Sequence, residues 1–221
     1  MHPTTLGADG PAVSRLGLGC MSMTGSYGPA DPHEAAATLL EALDAGVTMF
    51  DTGDFYDDGA NEITAVQSEY SLWERHVEGD ILPTVRSLGA ALVAYSPLGR
   101  GLLTGAVRAT TRYESGDFRA TAPRYNGDNL TANLTIVDAI TALAAAKNAT
   151  PAQIALAWLL TRGSDVIPIP GSSRRPHLRD NLAALDVHLT ATDLGHIDAA
   201  VPAAGAQGAR YGDHGIRMID Q

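Results

Sequence analysis

Asp51 and Tyr56 stand five residues apart in "VTMFDTGDFY", where an apolar run turns polar. A carboxylate and a phenol leaving one strand end together could both face one pocket. A phenol with a pKa of about 10 is neutral at pH 7 and can donate a hydrogen bond there. Other apolar runs also close on polar side chains. Gln67 lies in "ITAVQSEY", Tyr95 and Ser96 end "AALVAYS", and Ser172, Ser173 and Arg174 follow "DVIPIPG".

These residues need a frame, and the chain reads as strands alternating with helices. "TTLGADGPAVS" reverses at Gly7-Ala8-Asp9-Gly10-Pro11 and suggests a small hairpin. "LGLGCM" reads as a buried first strand, with glycines where another backbone comes close. Gly17-x-Gly19 lacks the third glycine and the following helix of a dinucleotide fingerprint. "DPHEAAATLLEALDAG" is a helix with Asp31 as N-cap, Pro32 at the first position and Glu34 completing a capping-box-like pattern. Leu39, Leu40 and Leu43 form its apolar stripe, and Gly46 ends it.

Strands follow at "VTMFDT", "ITAVQSEY", "AALVAYSP" and "DVIPIPGSS", and helices at "HVEGDILPTVRSLG", "LTANLTIVDAITALAAAKNA", "PAQIALAWLLTRG", "RRPHLRDNLAAL" and "TATDLGHIDAAV". Residues 104–129 form a long polar segment, of the kind that is either functional or mobile. "GARYGDHGIRMIDQ" is an irregular tail. Strand and helix in alternation predict a parallel α/β sheet, with function at the C-terminal strand ends.

The 221 residues are 45% apolar, which suits one domain with a sizeable core. A formal charge of -10 argues against nucleic acid or an anionic membrane as partner. No continuous apolar stretch reaches the roughly 18 residues of a membrane span, and "MHPTTLGADG" has no signal-peptide pattern. Cys20 is the one cysteine, so no internal disulfide forms and a reducing cytoplasm is expected.

One joint breaks the pattern. Only ten residues separate Thr52 from Ile63, where the next β-branched run begins. A parallel crossover normally needs a dozen or more residues and usually a helix.

The ordered motifs resemble the aldo-keto reductase family, a (β/α)8 barrel that binds NADP(H) without a dinucleotide fingerprint. "RLGLGCMSMTGSYG" is similar to its first strand and loop, "AGVTMFDTGDFY" to its second, "AVQSEYSLWER" to its sixth, "AYSPLGRGLLTG" to its seventh and "VIPIPGSSRRPHLRDNLAAL" to its eighth strand with the cofactor helix. "ARYGDHGIRMID" is similar to the C-terminal tail of bacterial members. The resemblance covers nearly the whole chain and explains the short joint. About three βα units, strands three to five, are deleted between Glu62 and Ile63, roughly 100 residues at some 30 or more per unit.

The resemblance implies a carbonyl reductase acting on aldehydes or ketones. Asp51 and Tyr56 match the catalytic carboxylate and proton donor. The family's lysine and histidine belong to the third and fourth strands, which are absent. Lys147, the one lysine, ends an Ala-rich helix, where a cation suits the helix dipole. Of the seven histidines, His76 stands beside a helix start, His177 lies in the cofactor helix, and His214 in the tail is the nearest substitute. Losing general acid assistance of this kind lowers a rate about 10²–10⁴-fold, so weak or absent turnover is expected.

The cofactor half is more complete. Tyr95 resembles the residue that stacks on the nicotinamide and Gln67 the ligand of its carboxamide. Ser96, Leu98 and Arg100 match the pyrophosphate loop, where backbone N–H groups and a cation meet a dianion. Gly171, Ser172 and Arg174 match the turn and positions for a 2′-phosphate, favouring NADP over NAD, and Asp180 and Asn181 match those facing adenine. No metal site is expected. Each residue also has a plain structural reading: Tyr95 as a barrel-end aromatic, Arg174-Arg175 as a solvated helix start, Asp180 as a surface charge.

The expected fold is therefore one domain over residues 1–221, a truncated (β/α)8 barrel of about five parallel strands in the order two-one-eight-seven-six. Five strands closed tightly would leave no room for inward side chains. The reading favours an open half-barrel with raw edges, or a homodimer through its exposed face. A non-catalytic NADP-binding remnant or interaction module is the alternative function.

Overall fold

The computed structural model describes residues 3–8, 10–23, 31–51, 65–202 and 204–212. Tyr56, His214 and the Glu62–Ile63 joint lie outside the described residues.

Strands β1 (Pro3–Thr5) and β2 (Ala12–Ser14) form the expected antiparallel hairpin. Then come β3 (Leu18–Gly19), α1 (Pro32–Asp44), β4 (Phe50–Asp51), β5 (Ala65–Glu69), α2 (Ile81–Ser87), β6 (Ala91–Tyr95), α3 (Gly127–Ala146), α4 (Pro151–Leu160), β7 (Val166–Pro168), α5 (Arg175–Leu182) and α6 (Ala191–Ala200). β3 pairs parallel with β4, and β5 with β6 and β6 with β7 are parallel too. Two backbone bonds join the halves: Gly17 N donates to Pro168 O and Gly19 N to Pro170 O. The spatial order is β4-β3-β7-β6-β5, which is the expected order two-one-eight-seven-six.

Side chains alternate across this sheet, as strand geometry requires. Leu92, Ala94 and Val166 face the helices, in a core with Tyr70, Trp73, Ile140 and Trp158. Ala91 and Ile167 face the other way, and Met49, Ala65, Val13 and Leu6 pack on them. Leu18 and Phe50 meet α1 and α5 through Ala42, Val47 and Leu178.

The interior is filled at its lower end and open at its upper end, where the inward Gln67 is exposed and Asp51 half-buried. Ala91 and Ile167 are both fully buried. The hairpin covers this lower end through Val13 and Leu6. A side chain at Gly17 would press on Ile169 Cγ2 at 2.9 Å and on the Met49 carbonyl at 3.1 Å, so the missing Cβ is what lets β3 fit. Among the described residues no backbone ladder joins β4 to β5; a side-chain bond spans them instead.

Helix α1 also differs from expectation. Asp31 caps it by accepting from His33 N, but Glu34 reaches α5 instead of closing a capping box. Its buried face is Ala35, Thr38 and Ala42, while Leu40 and Leu43 are exposed by 64% and 55%. The helix forms where the spacing predicts it, but the face of Ala35, Thr38 and Ala42 is the one that is buried.

Thr150 and Gln153 form a capping box that starts α4. Among the described residues one helix, α3, is long and apolar enough to cross a membrane, although its sequence contains no continuous apolar run of that length. It packs on α4 and α6 through residues that include Leu130, Ile136, Val137 and Ile140.

Candidate functional site

The inward positions at the C-terminal strand ends bring Asp51 of β4, Gln67 and Glu69 of β5 and Tyr95 of β6 to one end of the sheet. Gln67 Nε2 donates to Asp51 Oδ1 at 2.9 Å. The expected catalytic carboxylate and the expected carboxamide ligand are thus each other's partners. Cys20 N donates to the Asp51 carbonyl. Burial, with the nearby Asp51 charge, pushes the Cys20 thiol above its ordinary pKa and leaves it a poor nucleophile.

Lys147 is remote from this group. Its ammonium pairs with Asp193 on α6 at 2.7 Å. That is the helix-end structural role its sequence position suggested.

Tyr95 is half-buried, and its hydroxyl bonds the Tyr211 hydroxyl at 3.0 Å. Burial and that bond raise its pKa, so it is a neutral phenol. Ser96 holds a left-handed backbone at φ 49 and accepts from Gly99 N, which starts the tight loop through Leu98. Leu98 packs against the core.

Arg100 differs most from its expected place on the phosphate loop. It is 8% exposed and lies over the rings of Phe118 and Tyr211. Its guanidinium donates to the Arg210 carbonyl at 2.8 Å and to Glu69 at 3.3 Å. Glu69 is a buried carboxylate, and an uncompensated one would be costly, so Arg100 is drawn inward.

Asp180 is likewise turned inside. It accepts from Thr150 Oγ1 and Gln153 Nε2 and ties α5 to the start of α4. Asn181 is buried at 4% exposure. Neither is presented as an open adenine-facing group.

The turn before α5 is exposed at Gly171 and Arg174, while Ser172 is buried. Gly171 bridges Gly19 in parallel, and the Ser172 hydroxyl donates to the Arg174 carbonyl at 2.9 Å. Arg174 is exposed at the N-cap, with no side-chain cap on the helix. Burial and the Arg174 charge lower the pKa of His177. The Glu34 carboxylate accepts from Arg175 N and from the Arg175 guanidinium, each at 3.2 Å. An internal anion therefore already sits at the start of α5, where an external phosphate would find N–H donors and cations.

The structure also shows a charged group that sequence reading missed. Arg100, Arg124 and Arg210 converge on Glu69 at 3.3, 3.3 and 3.4 Å. Glu74 pairs with Arg124, with Arg210 at 3.5 Å and with His76 Nδ1 at 2.9 Å. Burial raises the Glu69 pKa, and its long contacts only partly offset that. Burial also works on Glu74, but its bonds with Arg124 and His76 prevail and lower its pKa. One signal was available: Glu69 is two residues beyond Gln67 and shares its inward face.

The aldo/keto reductase family model matches residues 15–65 and 62–202. A Glycine max protein named Probable aldo-keto reductase 1 is 29% identical over 319 aligned positions, covering 96% of this chain and 92% of that protein. That alignment is longer than the 221-residue chain, so it crosses a gap. The structure of a glycerol dehydrogenase from Gluconobacter oxydans superposes with a TM-score of 0.74 at 18% identity, over 90% of this chain and 94% of that one. Two stretches of the family pattern meet at residues 62–65, where the sequence indicates the deletion. The chain belongs to the aldo/keto reductase family, shortened within its barrel.

Proposed function

We propose that residues 1–221 form one aldo-keto reductase-like domain of truncated (β/α)8 descent, lacking strands three to five. By ancestry it is a cytoplasmic NADPH-dependent oxidoreductase that reduces aldehydes or ketones, with Tyr56 as proton donor and turnover weak or absent. The bond from Gln67 to Asp51 supports the weak or absent turnover in this reading. Among the described residues the carboxylate is held by an amide and not by a lysine, and Lys147 is engaged elsewhere, so nothing described there lowers the pKa of a phenol.

The residues fit a dinucleotide better at one end than the other. Exposed Arg174 and the open turn at Gly171 suit a phosphate. Tyr95, Ser96 and Leu98 remain as the platform and loop, whereas Gln67 and Arg100 are engaged within the protein. NADPH would supply a hydride when bound. The residues of this chain would hold its phosphates and offer Tyr95 as an aromatic surface. The engagement of Gln67 favours the second reading, a non-catalytic NADP-binding remnant.

Fluorescence of Trp73 and Trp158 during NADPH titration, followed by NADPH oxidation with a panel of aldehydes, separates these readings. Micromolar binding with little or no oxidation is expected. Steady turnover that Tyr56→Phe abolishes would instead establish a working reductase. Absence of binding below millimolar would remove both readings.

A further inference from the structure

Residues 204–212 cross the C-terminal strand ends as a strap, held largely by side chains of the body acting on its backbone. Ala206 N donates to the Trp73 carbonyl. Asn133, fully buried, accepts from Gln207 N at 2.7 Å and donates to Gln207 O at 3.0 Å. Arg124 Nε donates to Gly208 O at 3.2 Å, and Arg100 Nη1 to Arg210 O at 2.8 Å. Within the strap, the Tyr211 ring lies 4.5 Å from the Arg100 guanidinium and its hydroxyl meets that of Tyr95.

Two of the side chains that clamp this backbone, Arg100 and Arg124, come from distant segments and meet on Glu69. The strap's own Arg210 reaches the same carboxylate. Glu69 is 1% exposed and ends β5, so it is fixed by the sheet. We propose that Glu69 is the latch of this strap: this buried carboxylate is the point where all three arginines meet, two of them shared with Glu74, and its loss releases residues 208–211 and frees Tyr211 from Tyr95. This goes beyond the reductase reading and requires no cofactor.

The physical logic is a division of labour. Trp73 and Asn133 hold the strap's first half through bonds that do not involve the Glu69 carboxylate, so the Glu69 arginines act on the last turns. Hydrogen bonds to charged groups are strong enough that losing one shifts a local opening equilibrium by roughly tenfold or more. Opening of residues 208–211 should therefore occur without unfolding of the core.

Brief chymotrypsin digestion with intact-mass readout tests this, because the Tyr211–Gly212 bond can be cut only when Tyr211 leaves its seat. In Glu69→Gln, cleavage after Tyr211 should be roughly tenfold or more faster than in wild type, with the Trp73 and Trp158 denaturation transition still cooperative. An unchanged rate in a folded Glu69→Gln protein would overturn the latch. If that variant does not fold, Glu69→Asp decides, since it keeps the charge but draws the carboxylate back from contacts that are already 3.3–3.4 Å long: faster cleavage supports the latch and an unchanged rate overturns it.

Discussion

Gln67 Nε2 lies 2.9 Å from Asp51 Oδ1, although in sequence the two residues belong to strands that a complete barrel would hold apart. The amide donates to the carboxylate and spans the side of the sheet where no backbone ladder runs between β4 and β5 among the described residues. Gln67→Glu replaces this bond by two carboxylates at the same separation. Like charges so close repel by about 1 kcal/mol at an exposed site. The variant should be less stable than wild type at pH 7 and recover as pH falls and one carboxyl takes up a proton. Urea denaturation at pH 7 and pH 4 measures this; an equal deficit at both would mean the lost bond, and not the repulsion, sets the effect.

Glu34 leads to a prediction about binding. Its carboxylate occupies Arg175 N and the Arg175 guanidinium at the start of α5, and those bonds hold its pKa below the usual range. A dinucleotide phosphate at this helix start would compete with it. Glu34→Gln should tighten NADPH binding several-fold, with little change for a nicotinamide mononucleotide that lacks the adenosine end. Calorimetric titration of both ligands gives the comparison. Unchanged NADPH affinity would mean that the start of α5 is not the phosphate site.

The strand order could be read from the motif order, because a deletion of strands three to five leaves β4, β3, β7, β6 and β5 as neighbours. Helix ends were legible where local chemistry sets them, as at Asp31 and Thr150. Partnerships made by the contraction were not legible. The sequence places Gln67 and Arg100 where a family pocket would use them, but nothing local says that a shortened sheet turns them onto Asp51 and Glu69. The outward Leu40 and Leu43 escaped for a similar reason: a periodic stripe gives a helix but not which of its faces a neighbour covers.

Lys147 and Asp193 supply a pH test. Asp193 has its pKa lowered to about 2, first by the Lys147 bond and then by the bonds from Thr190 N and Oγ1. A carboxyl depressed on folding adds stability that is complete above its unfolded pKa of about 3.9 and disappears as pH falls through the folded value. Asp193→Asn should therefore be less stable than wild type from pH 7 down to about pH 4. The gap should narrow from there toward pH 2. Lys147→Met should share that profile and leave NADPH binding unaltered. An effect of Lys147→Met on binding or turnover would contradict its structural role.

Gly99 offers a direct test of the loop after β6. Its φ is +54, and a Cβ there would fall 2.4 Å from Trp73 Cζ2. Trp73 is 1% exposed, and Tyr125 donates to the Gly99 carbonyl at 2.8 Å, so neither side can retreat. Gly99→Ala combines a left-handed backbone penalty of about 1–2 kcal/mol with an overpacking penalty of about 1–3 kcal/mol. The expected loss is about 3 kcal/mol in chemical denaturation. Because Arg100 follows directly, the same variant should also loosen the strap and speed chymotrypsin cleavage after Tyr211. A loss under about 1 kcal/mol would mean that Trp73 can shift and that the loop is not rigid against the core.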